Sequence, residues 1–136
     1  MEEILDNLFS RGEFLNKELM ENGEIRYRTK ILPNFILSKT ISGNIPKWQN
    51  AHYHNLVNEV YFVRKGQILL AIEENENITY KLLNVGNSML IRPGVKHNVY
   101  LFSNTIINVL KYGPNVESDW YLAKNLNNIS KKFNVK

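Results

Sequence analysis

The chemistry this chain can perform rests on few residues. It contains no cysteine and three histidines, His52, His54 and His97. Disulfides, thiolate metal sites, iron–sulfur clusters and cysteine nucleophiles are therefore excluded, and any imidazole chemistry comes from those three rings. Two of them lie in Ala51-His52-Tyr53-His54-Asn55-Leu56-Val57-Asn58-Glu59. On an extended strand, residues two apart share a face. His52 and His54 therefore point one way, Tyr53 points the other, and the Glu59 carboxylate follows five residues after His54. A lone histidine on a strand is most often structural, and a bare His-x-His arises frequently by chance. Here, however, the third histidine follows its own turn, Arg92-Pro93-Gly94-Val95-Lys96, and an antiparallel barrel can pair so distant a strand beside the first. Three imidazole nitrogens and one carboxylate oxygen would make a mixed site suited to Fe, Mn, Ni, Zn, Co or Cu as a divalent ion, with positions left open for water or substrate.

These side chains need a scaffold, and the sequence supplies a pattern for one. From about Arg26 to Tyr112, short β-branched and aromatic runs alternate with turn signals. The runs are Ile31–Leu37, Val60–Arg64, Gln67–Glu73, Ile78–Leu83, Ser88–Ile91, Asn98–Leu101 and Thr105–Tyr112. Many short strands at this spacing predict an all-β antiparallel sandwich or barrel and not a βαβ fold. Gly66 fits a tight hairpin requiring positive φ, and Pro93-Gly94 fits a type II turn ahead of His97. Residues 1–25 carry helix-like spacing (Ile4, Leu5, Leu8, then Phe14, Leu15, Leu19, Met20), which predicts one or two short helices covering the barrel end. Leu122, Leu126, Ile129 and Phe133 form one stripe, predicting a C-terminal helix over 118–133 capped by Ser118 or Asp119.

The chemistry-bearing residues resemble the two motifs of the cupin superfamily. The first is His-x-His, a short gap, Glu, a longer gap and Gly, matched by His52-Tyr53-His54, Glu59 and Gly66. The second is Gly, a gap, Pro-x-Gly, two residues and His, matched by Gly86, Arg92-Pro93-Gly94 and His97. The resemblance spans about residues 46–112. Arg92 stands where the second motif usually has proline, and Leu101 stands where it often has asparagine. The resemblance implies a single cupin domain over 1–136: an antiparallel double-sheet jelly-roll barrel over 26–113, a short N-terminal helical or extended segment and a C-terminal helix. It also implies that His52, His54, Glu59 and His97 ligate one divalent transition metal ion.

Strand parity nominates further residues. Glu59 shares a face with Tyr61 and Val63, which brings Tyr61 toward the metal as a catalytic candidate beside Glu59. His97 shares a face with Val99 and Leu101. Trp48, with Gln49, precedes the first ligand; Arg92 at its turn and Lys111 on the last strand could meet anionic groups, so Trp48, Arg92 and Lys111 are the substrate-binding candidates. Small cupins support many reactions. The expected function is an isomerase- or epimerase-type enzyme acting on a polar, sugar-like molecule, with an Fe(II)-dependent dioxygenase or a non-catalytic ligand binder as alternatives.

Lys+Arg of 17 against Asp+Glu of 13 gives a net charge of +4. The excess is scattered and forms no dense basic stripe, so no nucleic-acid partner is expected. The N-terminus, Met1-Glu2-Glu3-Ile4-Leu5-Asp6, is acidic, and no apolar run approaches the roughly 20 residues of a bilayer span. A cytoplasmic protein without a membrane partner is expected. A homodimer is expected too, because an open sandwich has sheet edges to cover; Ile31–Leu37 and the C-terminal helix are the candidate interface elements.

Overall fold

A computed structural model describes residues 2–135. Its elements are α1 (Glu2–Arg11), β1 (Glu13–Leu19), β2 (Ile25–Leu32), β3 (Phe35–Ile41), β4 (His52–Tyr53), β5 (Asn58–Lys65), β6 (Gln67–Glu74), β7 (Asn77–Asn84), β8 (Ser88–Ile91), β9 (Lys96–Leu101), β10 (Ile106–Tyr112), β11 (Tyr121–Leu122) and α2 (Lys124–Lys132). The strands form two sheets, one ordered β1-β2-β3-β10-β5-β8 and the other β11-β4-β9-β6-β7. Every pairing between them is antiparallel.

Alternation along the strands builds the core. Tyr61 and Val63 of β5, Ile68, Leu70 and Ile72 of β6, Val99 and Leu101 of β9, and Ile107 and Val109 of β10 meet between the sheets. Each such side chain stabilises the fold by about 1.5–3 kcal/mol, and together they fill one end of the sandwich. The opposite face of β6 carries the small Ala71, and there α2 lies down. Leu126, Ala123, Trp48, Ala51 and Ala71 form a second apolar cluster. On the outer face of the first sheet, α1 is tied by Arg64, whose guanidinium donates to both Asp6 carboxylate oxygens at 2.8 and 3.1 Å.

Four sequence expectations are corrected. Residues 13–19 are an extended edge strand, not a second helix, because Met20–Glu24 makes a tight turn that returns the chain as β2; the Met20 N–H donates to the Glu24 carbonyl at 2.8 Å. The sandwich therefore begins before residue 26. Ile31–Leu37 is not one strand: it turns at Pro33-Asn34, where Asn34 takes φ +63°, and joins β2 to β3. Because β3 is paired on both sides, it offers no edge; the edges are β1, β8, β11 and β7. The last helix starts at Lys124 after an Ala123 cap, not at 118, because Tyr121–Leu122 pairs with β4. Ser118 and Asp119 cap nothing there, and the Asp119 carboxylate is engaged elsewhere.

Candidate metal centre and cavity

The two sheets deliver the four candidate ligands to one point. His52 on β4 and His97 on β9 stand directly opposite each other in register. Glu59 comes from β5 of the facing sheet, and His54 from the loop between β4 and β5. The loops are locked together, since the Gly94 N–H donates to the His54 carbonyl at 2.6 Å. Gly94 has φ +84° and Gly66 φ +79°, conformations that favour glycine; the expected turn before His97 is present, whereas Gly66 closes no hairpin, because β5 and β6 belong to different sheets and Gly66 is the corner where the chain passes from one to the other.

The Nε2 atoms of His52 and His97 each lie 3.0 Å from Glu59 Oε1, and His54 Nε2 contacts the same oxygen. All four ligand atoms fall within 4.8 Å of one another, and all four residues are buried. The outward nitrogens determine what the inner ones present. His52 Nδ1 faces the Asn50 carbonyl at 3.1 Å, His97 Nδ1 the Val95 carbonyl at 2.9 Å, and His54 Nδ1 the Asp119 carbonyl. A carbonyl only accepts, so each Nδ1 carries a proton, and the tautomer this selects for a neutral ring turns a bare Nε2 lone pair inward. Three nitrogen lone pairs aimed at one carboxylate oxygen repel unless a cation lies among them. The donor set thus fits a divalent metal, with the carbonyls fixing ring orientation in the usual way.

The electrostatics agree. Burial and the neighbouring His97 lower the His52 pKa to about 4, which keeps its ring neutral and able to ligate. Burial opposes charge on Glu59, but His97, Lys111 and His52 together hold its carboxyl well below the usual range. Burial and the nearby Glu59 push the Tyr61 phenol well above its ordinary value. Tyr61 is therefore a neutral donor; its ring meets His97 edge-on at 5.9 Å.

The ligands His52, His54 and Glu59 line a cavity of about 460 Å³, whose wall also includes Gln49, Tyr61, Lys111 and Trp120. Lys111 stands beside Glu59 on the adjacent strand. This settles which face of β10 looks inward: Ile107, Val109 and Lys111. Burial lowers the Lys111 pKa while Glu59 opposes that. Gln49 is fixed by donating from Nε2 to Glu24 Oε1 at 2.6 Å. The other two substrate-binding candidates do not line this cavity. Trp48 packs in the outer-face cluster against Tyr100 and Tyr80, and Arg92 is exposed on its turn.

Two further residues carry the site and escape sequence reasoning. Trp120, 45% exposed, stacks on His52 with ring centres 5.5 Å apart. Asp119 accepts from the backbone N–H groups of Asn55, Leu56 and Val57 at 2.9, 2.8 and 3.0 Å, clamping the loop between His54 and Glu59. Burial opposes its charge, yet these three donors hold its carboxyl below the usual range. The available signal was an acid followed by tryptophan just ahead of the helical stripe, which reads equally well as a cap.

No family model matches the sequence, and no curated protein is similar to it. Among solved structures, the fold is similar to KdgF from Halomonas sp., with a TM-score of 0.63 and 13% identity over 77% of this chain and 96% of that one. Oxalate decarboxylase from Bacillus subtilis is also similar, at a TM-score of 0.65 and 15% identity over 85% of this chain and 31% of that one. A structure of an oxalate oxidase gives 0.59 and 15% identity over 71% and 54%. The chain thus spans nearly all of KdgF but about a third of the decarboxylase. At such identities the likeness speaks for the fold, and the ligand geometry is this chain's own. The chain has the cupin fold, with His52, His54, Glu59 and His97 assembled as a site for a divalent metal ion.

Proposed function

We propose that the chain is a metal-dependent enzyme of isomerase or epimerase type, acting on a small, polar, sugar-like molecule. The observation that carries this reading is the placement of the ligand set in the wall of a cavity that also presents fixed polar groups and an inward lysine. Its volume lies within the usual range for small-molecule sites. The similarity to proteins named for oxalate supports a small polar substrate.

A divalent ion held by the four ligands would supply a Lewis acid toward a substrate carbonyl or hydroxyl oxygen. Around it, each side chain has a distinct part. Lys111 places a cation beside the ligand set, where negative charge developing on the substrate is stabilised. Tyr61 offers a neutral O–H. Gln49, its amide fixed by Glu24, presents its carbonyl oxygen to a hydroxyl. Trp120 shields His52 from water at the rim. A homodimer belongs to the same reading, to be checked by light scattering; a lone species at the 15.9 kDa chain mass overturns it.

The test is metal analysis of protein purified without added metal, followed by proton NMR of candidate sugars in D2O. Loss of the α-carbon proton signal with metal-loaded protein, and none with chelator-treated protein, is the expected outcome. Equal exchange without metal overturns the mechanism. Fe(II)-dependent oxygen uptake without exchange replaces the reading with a dioxygenase, and saturable binding without turnover replaces it with a ligand binder.

A further inference from the structure

Across the cavity from the ligands, β2 brings two guanidiniums to one face. Arg26 and Arg28 are two residues apart on the strand, and both line the cavity. Their partners on β3 are Thr40 and Ser38, small polar residues that leave the space above them open. We propose that Arg26 and Arg28 form an anion subsite, which binds a carboxylate or phosphate group at the end of the substrate remote from the metal ligands. The inference rests on the preceding section only for the sugar-like character of the remainder.

Charge accounting across the cavity wall supports it. Of the carboxylates there, Glu59 belongs to the ligand set, Asp119 accepts from three backbone donors, and Glu117 pairs with Lys30 at 3.2 Å. That leaves Glu18 to serve both arginines, and it does so loosely, at 3.6 Å from Arg28 and 3.9 Å from Arg26. Both separations exceed normal hydrogen-bond length. Lys111 makes no salt bridge among the described residues. Arg26 and Arg28 thus share one loosely held carboxylate in a partly buried space, with buried Glu24 acting on Arg26 only from beyond ion-pair distance and Lys111 facing the ligand Glu59, an imbalance at the arginines that an incoming anion corrects. Burial, reinforced by the Arg26 charge and partly offset by Glu18, lowers the Arg28 pKa, as expected of a guanidinium short of counter-charge. Guanidiniums bind carboxylates and phosphates in forked geometry.

The geometry also bears on substrate length. From β5, which carries Glu59, to β2 the sheet order passes through β10 and β3. Three strand spacings amount to about 14 Å between backbones, and the arginine side chains close only part of it. A molecule reaching both ends must therefore span several ångströms, as a hexose acid or hexose phosphate does.

The test uses Zn-loaded, 15N-labelled protein, with arginine Nε–H resonances followed during titration with inorganic phosphate at fixed ionic strength. Saturable shifts at Arg26 and Arg28, with exposed Arg11 unmoved, are expected. Phosphate should bind at least tenfold more weakly to Arg26→Gln/Arg28→Gln. Arg26→Lys/Arg28→Lys keeps charge without the fork and should fall between, which guards against misfolding of the glutamine variant. Linear shifts shared with Arg11, or unchanged affinity in a folded glutamine variant, overturn the subsite. D-glucuronate and D-glucose then probe substrate recognition. At least tenfold tighter binding of glucuronate, lost in the glutamine variant, is expected; equal binding of the two overturns the proposal. Saturable phosphate binding with neither sugar bound supports the anion subsite and refutes the sugar reading instead, so the two failures are distinguishable.

Discussion

Asp119→Ala removes one carboxylate and leaves three backbone donors without their acceptor. The cost differs among the three. Asn55 and Leu56 are exposed, so water can replace the lost oxygen and each forfeits roughly 0.5–1 kcal/mol, the net worth of a bond. Val57 is fully buried, and an orphaned buried N–H costs about 1–3 kcal/mol. The sum is about 3 kcal/mol. For a chain of this size that corresponds to a Tm lower by about 10 °C, measured by circular dichroism on chelator-treated protein so that metal linkage does not intervene. Asp119→Asn keeps one accepting oxygen and should lose about half as much. The same loop carries His54 at one end and Glu59 at the other, so zinc affinity by competition titration should fall about tenfold, as when an outer-shell partner of a metal site is lost. An alanine variant within about 1 kcal/mol of the parent, with unchanged zinc affinity, refutes the view that this carboxylate holds the loop.

Three other outcomes follow from the same contacts. His54→Ala removes one of four ligands and should weaken zinc binding by at least a hundredfold, while circular dichroism still shows a folded sandwich; undiminished metal content by elemental analysis would exclude the four-ligand site. Burial raises the Glu24 pKa despite its Gln49, Asn22 and Arg26 neighbours, so its ionisation disfavours the folded state as pH rises above the ordinary 4.5. Glu24→Gln should therefore have the higher Tm at pH 7, with the difference vanishing below pH 4.5, and a lower Tm at pH 7 contradicts this. Because Trp120 stacks on His52 and Trp48 lies in the other cluster, metal titration should change tryptophan emission in Trp48→Phe but not in Trp120→Phe; the reverse pattern would place the metal elsewhere.

The ligand set was legible because its signal is local. His-x-His obeys strand parity, and the glycines at 66 and 94 mark turns that only a few residues can make. Tyr61 was legible for the same reason. Residues 13–19 escape a local pattern because an edge strand with a mostly exposed surface carries little alternation, and its partner β2 decides its state across a turn. The inward face of β10 is open in the sequence, since each face of Ile106–Tyr112 is mostly apolar with one polar residue, Asn108 on one and Lys111 on the other; the outward Asn108 is itself buried, donating to the Ser38 carbonyl at 3.0 Å. Trp48 sits near a ligand in sequence and away from it in space, because the chain crosses from the outer cluster to the cavity between residues 48 and 52. Asp119 and Trp120 act on the loop and ring of residues more than sixty positions earlier, a relation no local pattern encodes.

The ligands come from both layers: His52 and His97 from one sheet and Glu59 from the other. Any ion they hold is therefore a crosslink between the sheets, joining strands 38 positions apart in the chain at Glu59 and His97. In a protein without cysteine, it takes the place of a disulfide, yet it forms without an oxidant and comes apart when metal is scarce. The relation of one layer to the other is thereby tied to metal supply.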